Sequence, residues 1–231
     1  MPQPLHSFRI RKPAVAPPDP QLRRLLRELR RVDRADMVAS TALLALEVLR
    51  RRPRRGSAWA QLGDNLRALG VYPVAERALR RALRLAPEPM RHWVMGGLAK
   101  LYEQRGDTTA AIRWFRKAIA AAPGEASWRI QLGGLLATRG RLAAAADCHR
   151  RATRCREGCI DEAWLNLGLV RRGQYRFREA AHCFRKALEL TKNYREAKLG
   201  LRDVEYAMAI LARGKQLPAS RPRSRRSRRA A

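Results

Sequence analysis

Acidic residues are scarce in this 231-residue chain: 20 Asp and Glu stand against 50 Lys and Arg, a formal net charge of +30. Aromatics make up only 6%. With alanine abundant, that shortage favours close helix packing over a β-sandwich. No apolar run reaches about 18 residues, so no membrane-spanning helix is expected. The first twenty residues carry Arg9, Arg11 and Lys12 but no apolar stretch after them, which is not the pattern of a secretory signal. There are four cysteines, Cys148, Cys155, Cys159 and Cys183, at irregular positions. They make no disulfide framework in a chain this long, and the expected compartment is reducing and cytoplasmic. Hydrophobic content, at 46%, is ordinary for a folded protein and excludes wholesale disorder.

What the chain does contain is a period. Ala75, Ala111, Ala145 and Ala180 are 36, 34 and 35 residues apart, and Ala82, Ala118, Ala152 and Ala187 repeat those increments. Leu62, Leu98, Leu132 and Leu167 repeat them again. Three anchors with one set of spacings mark an array of like units. Gly63, Ala99, Gly133 and Gly168 form a small slot directly after the leucine; Leu79, Phe115, His149 and Phe184 form a mostly bulky slot between the alanines. Gly70, Gly106 and Gly140 sit where a turn is expected, with Tyr175 in that place in the fourth unit. Pro87 and Pro123 close two of the units. Each unit is read as two antiparallel helices, the first pair over Ser57–Leu69 and Pro73–Leu85. Small residues let the helices approach, and stacking covers the apolar face that one pair leaves open.

The pattern resembles the tetratricopeptide repeat family. The likeness rests on Trp59-x-x-Leu62-Gly63, on Trp164-x-x-Leu167-Gly168, on the paired alanines and on Pro87 and Pro123. It covers 56–193 directly. The third unit departs most, with Arg129 in the tryptophan slot and His149 in the bulky one. The resemblance implies an all-α, right-handed superhelical solenoid of helix pairs. The expected organisation is an extended tail over 1–19, a divergent helical hairpin over 20–55, repeats at 56–91, 92–125, 126–160 and 161–193, a capping helix over 194–213 and a disordered Arg-rich tail over 214–231. The hairpin is drawn from Gln21–Asp33, with a leucine stripe at helical spacing, and Met37–Arg51.

Chemistry-bearing motifs are missing. None of His6, His92, His149 and His182 is matched with a serine and an orienting group in a known pattern. No Gly-rich loop precedes a helix in a phosphate-cradling arrangement, and Gly96-Gly97 inside a repeat helix reads as close packing. No enzyme, catalytic residue or cofactor is expected. Cys148, His149, Cys155, Cys159, His182 and Cys183 fall in the last two repeats, yet there is no CxxC pair. Cysteines as small apolar packing residues is the simpler account, and no metal is expected.

In the family, first-helix side chains of successive repeats line a concave groove. The slot just before the Leu-Gly pair holds Gln61, Gln131 and Asn166, broken by Gly97 in the second unit. Side-chain amides offer an acceptor and two donors, so a stack of them would pair with an extended peptide backbone. Other expected groove residues are Asp64, Arg67, Trp93, Lys100, Glu103, Leu165, Leu169 and Arg172, with Trp93 the aromatic anchor. The family's carboxylate-clamping Lys/Asn pattern is absent, so capture of a C-terminal tail is not expected. The charge supplies a second candidate: Arg221, Arg223, Arg225, Arg226, Arg228 and Arg229 sit in a segment without acids. Guanidinium groups match phosphates in bidentate geometry. That segment lacks the aromatics that would stack bases, and it has no apolar face for membrane insertion. The leading expectation is a non-catalytic scaffold or adaptor holding a peptide or helix of a protein partner. The alternatives are a nucleic-acid-associated adaptor acting through the basic tail, and a regulatory repeat module of a separately encoded enzyme.

Overall fold

The computed structural model describes residues 38–215. The tail expected over 1–19, the helix expected over Gln21–Asp33 and the basic stretch 216–231 therefore lie outside the described residues. Ten helices are described: α1 (Val38–Arg51), α2 (Gly56–Ala68), α3 (Tyr72–Leu85), α4 (Glu88–Gln104), α5 (Thr108–Ala121), α6 (Ser127–Thr138), α7 (Leu142–Ala152), α8 (Ile160–Gly173), α9 (Phe177–Leu190) and α10 (Arg195–Lys215). Extended pairing among the described residues is confined to an isolated parallel bridge between Glu125 and Glu157. The fold is all-α. Its described residues divide into two compact units, 38–87 and 88–215.

In the first unit α1 packs on α2, and α2 on α3. Their core is built from alanines at the crossings and Val48, Leu49 and Leu62 between them. Trp59 closes the start of α2: its indole N–H donates to the Pro53 carbonyl at 2.8 Å, while the Arg81 guanidinium lies over its ring at 5.0 Å.

In the second unit each helix packs on the next from α4 to α10, and α6 also meets α8, as α8 meets α10. These contacts between alternate helices stack one hairpin on another, covering faces that a lone pair leaves open. Phe115, Trp128, Leu132, Leu136, Leu167 and Val170 form one cluster; Leu165, Phe184, Ala187 and Val204 form the next.

The small and bulky slots turn out to be partners. A Cβ added at Gly63 would lie 2.6 Å from Leu79 Cγ, one at Gly133 2.5 Å from His149 Cε1, and one at Gly168 2.6 Å from Phe184 Cε1. In each of these three repeats the bulky side chain of the second helix sits in the notch left by the first helix's glycine. The turns share one geometry as well. Gly70, Gly106 and Gly140 have φ of 77°, 82° and 72°, and Tyr175 takes the same left-handed conformation at 59°.

Arg129 fills the tryptophan slot by taking over the tryptophan's hydrogen bond. Its guanidinium donates to the Pro123 carbonyl at 2.7 Å, the counterpart of the bond from Trp59 to Pro53. Both donors stand six residues after their proline.

Candidate peptide groove

The expected groove residues fall on the first helices of the pairs: α2 in the first unit, and α4, α6 and α8 in the second. On α2, Gln61 is half-buried, and Arg67 is held to Asp64 at 3.4 Å one turn away. That ion pair neutralises both charges locally.

In the second unit an aromatic cluster forms where α6 meets α4. Trp128, one residue before the tryptophan slot, is buried and lays its ring across Gly96. A Cβ at Gly96 would fall inside the indole, so the glycine is the condition for this contact. The indole N–H of Trp128 donates to His92 Nδ1 at 2.9 Å. Trp93 packs edge-on against Trp128, with ring centroids 5.0 Å apart, and lies tilted against His92 at 4.9 Å. Trp93 itself remains 47% exposed. Its ring is thus fixed from beneath while a large apolar area stays in contact with water. Sequence reasoning missed Trp128; the glycine pair Gly96-Gly97 was its signal, since one glycine in a helix interior marks close approach by a neighbour.

Beyond Trp93 the first-helix row continues with half-buried Lys100 and Glu103 on α4, half-buried Gln131 on α6, and half-buried Asn166 with exposed Leu169 on α8. Gly97 is buried, and Gly134 is exposed with open space where a side chain would stand. Two expected groove residues have other occupations. Leu165 is buried in the core cluster with Phe184 and Val204. Arg172 pairs with Asp203 on α10 at 3.0 Å, which ties the last hairpin to the final helix.

Metal-binding geometry does not develop around the cysteines. Among the described residues no three His, Cys, Asp or Glu side chains are placed to hold an ion. The cysteines are free thiols. Burial raises the Cys183 pKa to about 11, and burial followed by the Asp147 charge raises that of Cys148. Both thiols stay protonated at neutral pH and serve as packing groups. The anion-binding candidates Arg221, Arg223, Arg225, Arg226, Arg228 and Arg229 lie outside the described residues. No helix among the described residues is long and apolar enough to cross a membrane.

Comparison with known proteins agrees with this architecture. A family model described as a tetratricopeptide repeat matches residues 60–126 and 97–158, and a second of the same description matches 161–194. No curated protein matches the sequence. Among solved structures, PilF of Pseudomonas aeruginosa is 25% identical, with a TM-score of 0.59 over 70% of this chain and 72% of that one. MamA from Desulfovibrio magneticus RS-1 is 18% identical, with a TM-score of 0.58 over 77% of this chain and 98% of that one. YrrB, described as a tetratricopeptide repeat protein with an unusual peptide-binding site, is 16% identical, with a TM-score of 0.53 over 77% and 90%. The last two are likenesses of fold. Matched models over most of the described helices, recurring slots and stacked hairpins lead to one conclusion: this chain belongs to the tetratricopeptide repeat family.

Proposed function

We propose that the protein is a non-catalytic adaptor that holds a peptide or helix of a protein partner along the first helices of residues 88–215. The family fold is that of a protein-interaction scaffold, which supports this class of function. The observation that carries it here is Trp93: a half-exposed indole seated on Trp128 and His92, with exposed Leu169 and the amides of Gln131 and Asn166 farther along the row. Exposed aromatics on a fixed base anchor interfaces, because little side-chain freedom is lost on binding. Gly134 leaves a low point between these side chains, so a ligand backbone can approach closely there. Gln131 and Asn166 then supply hydrogen bonds that do not depend on ligand sequence.

The experiment is selection from a random peptide library on the immobilised protein. Peptides bound by the wild type should lose at least about tenfold in affinity on Trp93→Ala, the usual cost of removing an aromatic anchor. Half of the ring is buried against Trp128 and His92, so Trp93→Ala should also cost about 2 kcal/mol of stability, and affinities are compared at a temperature where both proteins are fully folded. Peptides held equally well by Trp93→Ala and by Gln131→Ala with Asn166→Ala would overturn the reading.

A further inference from the structure

Among the described residues several acids are spent on arginines close by in the chain. Glu47, Asp64, Glu76, Glu88 and Asp147 each meet an arginine three or four residues away. One cleft in the second unit has only arginines as the charged residues of its lining. Pro123, Gly124, Arg129, Arg151, Arg154, Cys155 and Arg156 line an open cleft of about 480 Å³, which has four guanidinium-bearing residues and no acid in its lining. It lies between the α5–α6 connection and the segment that follows α7. Among the described residues Arg154 and Arg156 have no acidic partner; Arg151 pairs with Asp147 at 2.8 Å. Arg129 is fixed by the Pro123 carbonyl at 2.7 Å.

The walls are tied together. The amides of Arg156 and Glu157 both donate to the Gly124 carbonyl at 3.2 Å, and the Ala126 amide donates to the Glu157 carbonyl at 3.0 Å. Across this short bridge the Glu125 carboxylate is turned to the Ser127 amide and hydroxyl, at 2.9 and 2.6 Å, capping α6. The Glu125 carboxylate is thus aimed at Ser127, and Arg156 springs from a pinned backbone.

Arginines near helix ends have a plainer use, which is to offset the carbonyl ends of α5 and α7. Each end carries about half a negative charge, Asp147 is shared between Arg150 and Arg151, and Glu125 and Glu157 stand on the bridge beside the cleft without belonging to its lining. The lining itself holds four guanidinium groups and no carboxylate, and among the described residues Arg154 and Arg156 are paired with no acid. We propose that this cleft is a binding site for a phosphate-type dianion, gripped by Arg154 and Arg156 and oriented by Arg129 and Arg151. Guanidinium forks match tetrahedral oxyanions in bidentate geometry, and the pinned connection lowers the ordering cost. The site is separate from the Trp93 row and uses none of its residues.

The test is site-resolved, because other arginines of the chain also attract phosphate. Amide NMR shifts of Gly124, Arg156 and Glu157 are followed in the full chain during titration at constant ionic strength. The probes are inorganic phosphate, the peptide acetyl-Leu-phosphoserine-Leu-amide, and its unphosphorylated form. Saturable shifts are expected with both phosphate probes and none with the unphosphorylated peptide. Tighter binding of the phosphopeptide identifies a group presented on a chain, and equal binding identifies the free ion. Arg154→Gln with Arg156→Gln should weaken binding about a hundredfold, tenfold for each charge-assisted grip removed, with unchanged helicity. Shifts that do not saturate, that appear equally with the unphosphorylated peptide, or that persist in the double variant would overturn the site.

Discussion

The ring of Trp128 occupies the space that a side chain at Gly96 would need. The contact joins α6 to α4 and underlies the half-exposed Trp93. Gly96→Ala therefore sets two effects against each other. Alanine improves helix propensity by up to about 1 kcal/mol. Overpacking against a buried indole costs about 1–3 kcal/mol. The net expectation is a loss of about 1–2 kcal/mol in urea denaturation. Trp128→Val, the side chain that α4 carries at the equivalent Val94, should remove the clash. Additive losses in the double variant would mean that the two residues do not share that space.

Tyr175 is the non-glycine residue among the four matching turns, with φ of 59°. A left-handed conformation costs a residue with a Cβ about 1–2 kcal/mol. The ring is 82% exposed, and its edge-on contact with Phe177, centroids 6.2 Å apart, returns only part of that. Tyr175→Gly should raise stability by about 0.5–1 kcal/mol, after glycine's greater freedom in the unfolded chain is counted. A lower melting temperature by calorimetry would show that the Phe177 contact outweighs the backbone strain.

The period, the hairpins and the turn positions were legible because each depends on residue size at a fixed interval. Ala75, Ala111, Ala145 and Ala180 announce crossings, and Gly70, Gly106 and Gly140 announce left-handed turns. Less legible was anything that depends on which neighbour a side chain meets. Gly133 and His149 stand in separate slots of the sequence, and only the folded pair shows one filling the other's notch. Trp128 stands beside the tryptophan slot rather than in it, and its place is explained by the Gly96 beneath it. Leu165 has the helix position of a residue open to a ligand, yet α9 and α10 enclose it. Arg172 shares that position, and Asp203, 31 residues on, holds it. Pairings at long separation carry no periodic signal.

Arg129 offers a direct check on slot equivalence. Its bond to the Pro123 carbonyl reproduces that of Trp59 to Pro53. Arg129→Trp should then leave stability within about 1 kcal/mol of wild type, since an indole N–H can take the same acceptor. Arg129→Leu keeps bulk but has no donor, and should cost about 1 kcal/mol more than the tryptophan variant. Chemical denaturation of the two variants side by side measures the difference. If leucine proves as stable as tryptophan, the hydrogen bond contributes nothing net.

His149 stands where Leu79, Phe115 and Phe184 stand in the other repeats. It is almost fully buried, and its Nδ1 has no hydrogen-bond partner. Burial disfavours the imidazolium and lowers the pKa from 6.5 to about 4. The sign follows from proton uptake. Between pH 6.5 and 4 the unfolded chain binds a proton on this ring that the folded chain refuses. Stability is therefore full above pH 6.5, falls as pH drops towards 4, and levels off below it. The gap corresponds to a loss of about 3 kcal/mol at most. His149→Phe removes both the orphaned nitrogen and the titration. It should gain about 1–2 kcal/mol at about pH 7.5. The advantage should widen by about 2 kcal/mol at about pH 4.5, because only the wild type is penalised there. Urea denaturation of both proteins at the two pH values isolates this ring, since every other titrating group is common to them. An equal advantage at both values would mean that the folded imidazole takes up its proton as readily as the unfolded one.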